Sequence, residues 1–406
     1  SLNLIGNGSY RKQHAPGTTN SSGINGVTGD VSRDFDINPY SYALNSSRTL
    51  DPNAYYTRNY APFNILNELD NNNMQFDVVD LKFQAELKYK PVRTVELSVL
   101  GAYKFSTTTQ VHNITENSNQ AQAFRAMDDA TMRDANTFLY KDPDNANSLP
   151  ITVLPTGGFY RETKYKMNSW DFRATASYND VFNDIHILNL YGGMEINNID
   201  RNSSSFDGVG MNYTNGMLGS YDYRYFKQAA EENSMYYAVG NGYSREASFF
   251  GTATYSWKGR YTVNGTVRYE GSNRLGKATS ARWLPTWNIS GAWNAHEEPW
   301  FEKLNKVLSH ATLKASYSLT GDKPAITNAM VIIQSYNTWR PFTSDSESGL
   351  QISSFANPDL TYEKKHELNI GIDLGFLNNR INFSFDWYTR NNYDLIGPKR
   401  TTGVEG

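Results

Sequence analysis

Between Met211 and Tyr243 the chain carries Tyr213, Tyr221, Tyr223, Tyr225, Phe226, Tyr236, Tyr237 and Tyr243. Flat aromatic faces stack on sugar rings, and phenol hydroxyls bond to sugar or peptide groups. This loop is therefore a candidate surface for an external ligand, with Tyr221, Tyr223, Tyr225, Phe226, Tyr236 and Tyr237 as substrate contacts. The alternative use of such rings is packing against neighbouring loops or a lid protein. Trp339 and Arg340, in the segment 320 to 360, extend the same idea. In KDPDNANS the oxygens of Asp142, Asp144, Asn145 and Asn147 have the close spacing that a hard cation such as calcium takes. That loop lacks a terminal Glu, and an Asp, Asn and Pro sequence also reads as a plain turn.

Other chemistry is missing. The six histidines are scattered, and His296 in HEEP has no second His four residues on, so the zinc-protease pattern fails. With no cysteine, a disulfide framework, a thiolate metal site and a cysteine nucleophile are excluded. There is no GxSxG, no P-loop and no convincing carboxylate pair. The residues point to binding or transport rather than catalysis, with no cofactor.

The elements that hold these residues are strands. The 406 residues carry a formal charge of −3 and no basic run, which gives no electrostatic case for nucleic acid. Aromatic residues make up 14% and charged residues only 19%, and Asn and Ser crowd the gaps. No run reaches the roughly 18 apolar residues of a membrane helix, which excludes helical spans but not barrel strands.

Period-two alternation recurs throughout. From Thr94 to Lys104, Val95, Leu97, Val99, Gly101 and Tyr103 face one way and Glu96, Ser98, Leu100, Ala102 and Lys104 the other. In KGRYTVNGTVRYEGS, Tyr261, Val263, Gly265, Val267 and Tyr269 alternate with Thr262, Asn264, Thr266, Arg268 and Glu270. With similar runs at 1 to 10, 79 to 90, 161 to 179, 184 to 200, 243 to 257, 282 to 296, 310 to 319, 361 to 376 and 380 to 396, about eleven strands are expected. Fourteen residues extend roughly 46 Å. Tilted by about 40°, such a strand still rises roughly 35 Å and clears an apolar band about 25 Å tall.

Connections alternate in length. Short ones fall at Lys90 to Arg93, Asn179 to Asp184, Lys258 with Gly259, and Leu377 to Arg380, where Lys-Gly and Asn-Asn tolerate positive φ. Long ones cover 11 to 78, 107 to 160, 200 to 242 and 320 to 360. Helical spacing marks Gln120 to Phe138, and again Trp300, Phe301, Leu304, Val307 and Leu308, read as a short amphipathic helix at the membrane surface. Trp257, Tyr261, Trp283, Trp287 and Trp293 collect on apolar faces, several near strand ends, where indole and phenol rings prefer the interface. These features predict an all-β transmembrane antiparallel β-barrel wall in the bacterial outer membrane, with long extracellular loops. Lipid would bathe one face. Glu96, Lys104, Arg173, Arg268, Glu270, Asp373 and Asp386 would face the lumen.

GRYTVNGTVRYEGSNRLG, RWLPTWNISGAWNAHEEPWF and NPDLTYEKKHELNIGIDLGFLNNRINFSFDWYTRNNYDLI resemble, in that order, the barrel of the SusC/RagA-like TonB-dependent transporters of Bacteroidetes. The most specific residues are Asn357, Pro358, Asp359, Leu360, Glu363, Lys364, Leu377, Asn378, Asn379, Arg380, Asp386, Tyr388 and Asp394. Tyr362 stands where the family often has Trp. The resemblance implies a barrel of about 22 strands around a plug, with a TonB-contacting segment, a SusD-like lipoprotein at the mouth and a dimer of such pairs. It implies import of oligosaccharides, or of peptides as in the RagA branch, and plug contact for the lumen-facing residues. Plug, TonB box and closing strand are not seen in residues 1–406, so the chain is expected to be part of a larger barrel. A passive porin or adhesin, and a soluble all-β glycan-binding or hydrolytic protein, are the other readings.

Overall fold

The computed structural model describes residues 1–17, 22–24, 31–33, 35–145, 147–232, 234, 236–276, 279–323, 331–337, 348–357 and 359–397. Trp339, Arg340 and Pro358 lie outside them. Eleven long strands form one antiparallel sheet in which each pairs with its neighbours in sequence. They are β1 (Leu2–Pro16), β2 (Asn72–Val92), β3 (Val95–Ile114), β4 (Gly158–Phe182), β5 (His186–Asn212), β6 (Tyr237–Trp257), β7 (Tyr261–Ser272), β8 (Trp283–Asn294), β9 (Leu308–Asp322), β10 (Glu363–Phe376) and β11 (Ile381–Tyr393). This up-and-down order is that of a barrel wall, open among the described residues at the edges β1 and β11. Among the described residues no helix is long and apolar enough to cross a membrane.

The register puts the two faces where alternation predicts. Ala176, Gly192, Gly251, Val267 and Trp287 lie in one cross-strand row, and Leu100, Arg173, Glu195, Ser248 and Glu270 lie in another on the opposite face. On the apolar face Val263 and Val267 are 53% and 60% exposed, values possible in water only at a cost but natural against lipid. Two aromatic layers bound this face. Tyr261 stacks on Trp293 at 6.4 Å beside the short turn, and Tyr269 on Trp283 at 4.9 Å eight residues up β7. Eight residues span about 26 Å, or about 20 Å once tilted, which fits the apolar band of an outer membrane.

The short turns use left-handed backbone. Lys258 and Gly259 have φ of 55° and 70°, and Leu377, Asn378 and Asn379 have 52°, 56° and 60°. A Cβ at Gly259 would meet nothing, so this glycine answers to its backbone angle alone.

Several strands run further than alternation indicated. β3 continues to Ile114, β5 to Asn212, β2 begins at Asn72 and β6 at Tyr237. Beyond the upper aromatic layer the lipid constraint ends, and polar residues such as TTTQ and RNSSS occupy both faces while the ladder continues, until His112, Ile114 and Val209 are buried again at the strand ends. The predicted helix at 120 to 138 is two short helices, α3 (Asn119–Ala123) and α4 (Ala130–Ala135), after α1 (Pro39–Asn45) and α2 (Ile65–Asn71). Asp129 breaks it by accepting the Met132 N–H at 2.8 Å as a new N-cap. The predicted helix after β8 is instead two 3₁₀ turns, Ala295–Glu297 and Pro299–Leu304, because Pro299 starts a new turn after Glu298.

Candidate functional site

The loops between β1 and β2 and between β3 and β4 pack above the sheet. Phe124 stacks on Phe138 at 5.2 Å and meets Phe159 edge-on at 5.1 Å, while Ile114, Ala121, Leu154, Phe159 and Val209 form a buried cluster. The Asn119 amide nitrogen Nδ2 donates to the carbonyls of Arg58, Ala61 and Pro62, and its backbone N–H donates to the buried Glu68 carboxylate at 2.7 Å. Burial pushes the Glu68 carboxyl above the usual carboxylate range.

On this platform stands α5 (Tyr223–Glu231), an amphipathic helix within the span 200 to 242 that is expected as a loop from the sequence. Asp222 caps it, accepting the Arg224 N–H at 2.9 Å and gripping the guanidinium at 2.6 Å, which holds the Asp222 carboxyl down. The candidate rings converge here. Phe226 lies 6.4 Å from Tyr221, 5.5 Å from Tyr225 and 5.1 Å from Tyr236, and Tyr236 lies 5.3 Å from Tyr237. Two uses divide the set. Tyr225 is half-buried against the Ile114 cluster and anchors the helix. Tyr221, Tyr223 and Tyr237 keep 60%, 76% and 56% of their surface open, Tyr223 with the Arg224 guanidinium 5.7 Å above its ring, so each keeps ring surface for stacking. Tyr213 anchors too, its hydroxyl donating to the Phe159 carbonyl at 2.7 Å.

Asp142 and Asp144 come together with a carboxylate that sequence spacing missed, Glu231 of α5, all three offering oxygens within 4.8 Å of one another. Lys227 sits among them, its Nζ 2.6 Å from Asp142, 2.9 Å from Asp144 and 3.5 Å from Glu231. Tyr140 donates to Glu231 at 2.8 Å, and burial with that carboxylate raises its hydroxyl to about 12. The Lys227 ammonium thus balances part of the charge of this carboxylate group. Asn147 is set apart, its N–H donating to Asn145 Oδ1 at 3.1 Å in a local turn. The cluster ties the 142 to 148 loop to α5 and so holds the aromatic shelf.

The polar face carries the other candidates, most of them in ion pairs. Arg173 meets Glu195 at 3.0 Å, and Arg268 meets Glu270 at 2.7 Å. Lys323 joins Glu246 at 2.9 Å and Glu270 at 3.6 Å, and Glu96 meets Lys90 at 2.9 Å near the short turns. Lys104 pairs with Asp80 at 3.3 Å, and Asp373 binds Lys314 and the Ser384 hydroxyl. Asp386 lies opposite Gly371 on the same face. A recess of about 300 Å³ opens among Glu195, Glu246, Arg268, Glu270 and Lys323. A larger one of about 760 Å³ is apolar, lined by Ala176, Leu190, Gly251 and Val267, and lies on the opposite, lipid-side face. Of the partners Glu195, Glu246, Lys314 and Lys323, which sequence alternation did not single out, Glu195 lies directly opposite Arg173, while Lys314 and Glu246 stand one diagonal step from Asp373 and Glu270, respectively, and Lys323 follows the end of β9.

Leu360 and Tyr362, from the NPDLTYEKK stretch, are buried, and Tyr362 packs with Leu275 and Leu284 on the polar face, while the Gly276 N–H donates to the Leu360 carbonyl at 2.8 Å. These residues fasten the return of the 323 to 362 segment to the wall.

The family model described as TonB dependent receptor-like, beta-barrel, matches residues 7–405. TonB-dependent receptor P3 of Formosa agariphila is 26% identical over 253 residues, 62% of this chain and 24% of that protein. TonB-dependent receptor SusC of Bacteroides thetaiotaomicron is 33% identical over 154 residues, 37% of this chain and 15% of that protein. A solved structure of the RagAB peptide importer in its closed-closed state superposes with a TM-score of 0.65 at 19% identity, covering 97% of this chain and 38% of that one. The chain thus spans a quarter or less of the length of these two curated relatives.

Proposed function

Because the chain belongs to the TonB dependent receptor-like β-barrel family, whose relatives here are receptors rather than enzymes, we propose that it forms barrel wall and outer loops of an active importer of oligosaccharides. The wall lies in the bacterial outer membrane. Uptake is driven through TonB by a plug, and a SusD-like lipoprotein closes over the mouth in a dimer of transporter and lipoprotein pairs. The observation that carries the glycan reading is the shelf of open ring faces at Tyr221, Tyr223 and Tyr237 beside Arg224 and Asp222. Stacking faces flanked by fixed polar groups suit sugar rings, whose apolar faces and hydroxyl edges alternate.

In this reading the lumenal ion pairs of Glu96, Arg173, Arg268, Glu270 and Asp373, with Asp386, contact the plug. Trp339 and Arg340, in the segment 320 to 360, are further proposed ligand contacts. The test is titration of the full-length transporter, with its lipoprotein, against oligosaccharide and peptide panels, and uptake in cells with and without TonB. Saturable oligosaccharide binding that weakens in Tyr221→Ala and Tyr223→Ala, with TonB-dependent uptake, supports the proposal. Binding of peptides alone moves the protein to the peptide-importing branch. Uptake unchanged without TonB leaves a passive porin.

A further inference from the structure

The segment after β8 does not hang below the wall; it folds back onto the lipid side. Phe301 is 1% exposed and packs with Ala295 and Ala311, against Trp293, Leu308 and Leu374. Trp293 shares the face of Tyr261, and Leu374 that of Ala311, the face opposite to Thr312 and Asp373. With Phe301 seated, Trp300, Leu304 and Val307 point away from the protein, 52%, 45% and 62% exposed. Trp300 lies 6.3 Å from Trp293, so this patch continues the aromatic layer formed by Tyr261 and Trp293.

The rim of the patch is ionic in both signs. Glu302, Lys303 and Lys306 are all exposed. Glu298 is already used, accepting from the Tyr261 hydroxyl at 2.6 Å and Trp293 Nε1 at 3.3 Å and pairing with Arg260 at 3.3 Å. That network fixes the angle at which the 3₁₀ turn leaves the wall. In water three adjacent apolar side chains held outward would be a liability. At a bilayer boundary they are an anchor.

We propose that residues 299 to 307 form a docking shelf for phospholipid in the periplasmic leaflet. Trp300, Leu304 and Val307 enter the acyl boundary, Lys303 and Lys306 meet the phosphate, and Glu302 meets the ammonium of a zwitterionic headgroup. Two features of the shelf select lipid over a protein partner: its continuity with the lipid-facing wall, and a mixed-charge rim that complements a headgroup carrying both signs. The proposal is independent of the cargo.

The full-length transporter is reconstituted in vesicles whose phosphatidylethanolamine is mixed with phosphatidylcholine brominated either near the headgroup or near the chain end. The difference in fluorescence between wild type and Trp300→Phe isolates Trp300, and heat-modifiable migration confirms that both barrels fold. Shallow bromine should quench the Trp300 component severalfold more than deep bromine, with aqueous iodide ineffective. Quenching by iodide alone, protection from every quencher, as under a second copy or a protein partner, or stronger quenching by deep bromine would each overturn the proposal. As an independent arm, Lys303→Gln with Lys306→Gln should lower severalfold the phospholipid retained in native mass spectrometry; unchanged retention overturns the headgroup contact.

Discussion

Arginine placed at Val263, Val267 or Thr266 separates the two faces of one strand quantitatively. The stacked layers at Tyr261 and Tyr269 mark the edges of the hydrocarbon, so Gly265, halfway between them, sits near the midplane. Val263 and Val267 each lie two residues from Gly265, about 5 Å in depth after tilt. A lipid-facing arginine costs about 2 to 4 kcal/mol at the midplane and about 0 to 1 near the interface, which puts each of these at about 2 kcal/mol. Thr266 is on the other face, hydrogen-bonded to Thr252 at 3.3 Å. Arginine there reaches a wet lumen and should stay within about 0.5 kcal/mol. Folding of the full-length protein into vesicles, followed in urea by heat-modifiable migration, reads all three. Equal tolerance at the three positions, or a larger loss at Thr266, would refute the assignment of the faces.

Glu68 is buried, and its folded pKa is raised, so its contribution is fully present below the ordinary carboxyl pKa and is lost as pH rises through the folded value. Glu68→Gln keeps an acceptor for the Asn119 N–H, so the protection factor at Asn119, corrected for intrinsic exchange, should be higher at neutral pH and should no longer fall as pH rises through the raised Glu68 carboxyl value. Lys227→Ala leaves Asp142, Asp144 and Glu231 facing one another without a cation; exchange in α5 should quicken, and millimolar calcium should slow it again only in the variant. Gly259→Val meets no atoms but must hold φ near 70°, at about 1 to 2 kcal/mol, measurable as a shift of the urea midpoint.

The wall was legible because lipid imposes a period on it. Tyr261, Val263, Val267 and Tyr269 alternate with Thr262, Asn264, Thr266 and Arg268 since hydrocarbon and water lie on opposite sides, and the same constraint revealed all eleven strands. Above the lipid band the two-residue alternation ends, so the upper parts of β3 and β5 read as loop although Ile114 and Val209 at their ends are buried. The loop body escaped for another reason. Its core joins Phe35 to Ala61 and Ala123, positions far apart in sequence that no single period connects. For the candidate site, composition marked the aromatic loop but not which rings anchor and which stay open; that division comes from α5 and from contact with Ile114 and Phe159. Spacing brought Asp142 to Asp144 but could not foresee Lys227, which arrives from another loop.

The ion pairs along the polar face also have a kinetic meaning. Arg173 with Glu195, Arg268 with Glu270, Lys323 with Glu246 and Lys314 with Asp373 each cancel within a few ångströms, so their fields decay as dipoles rather than charges. In the importer proposed above, a wall lined this way would neither pull nor repel a passing solute over distance, so that entry should be insensitive to ionic strength and selection should fall to contact, where shape and hydrogen bonding decide.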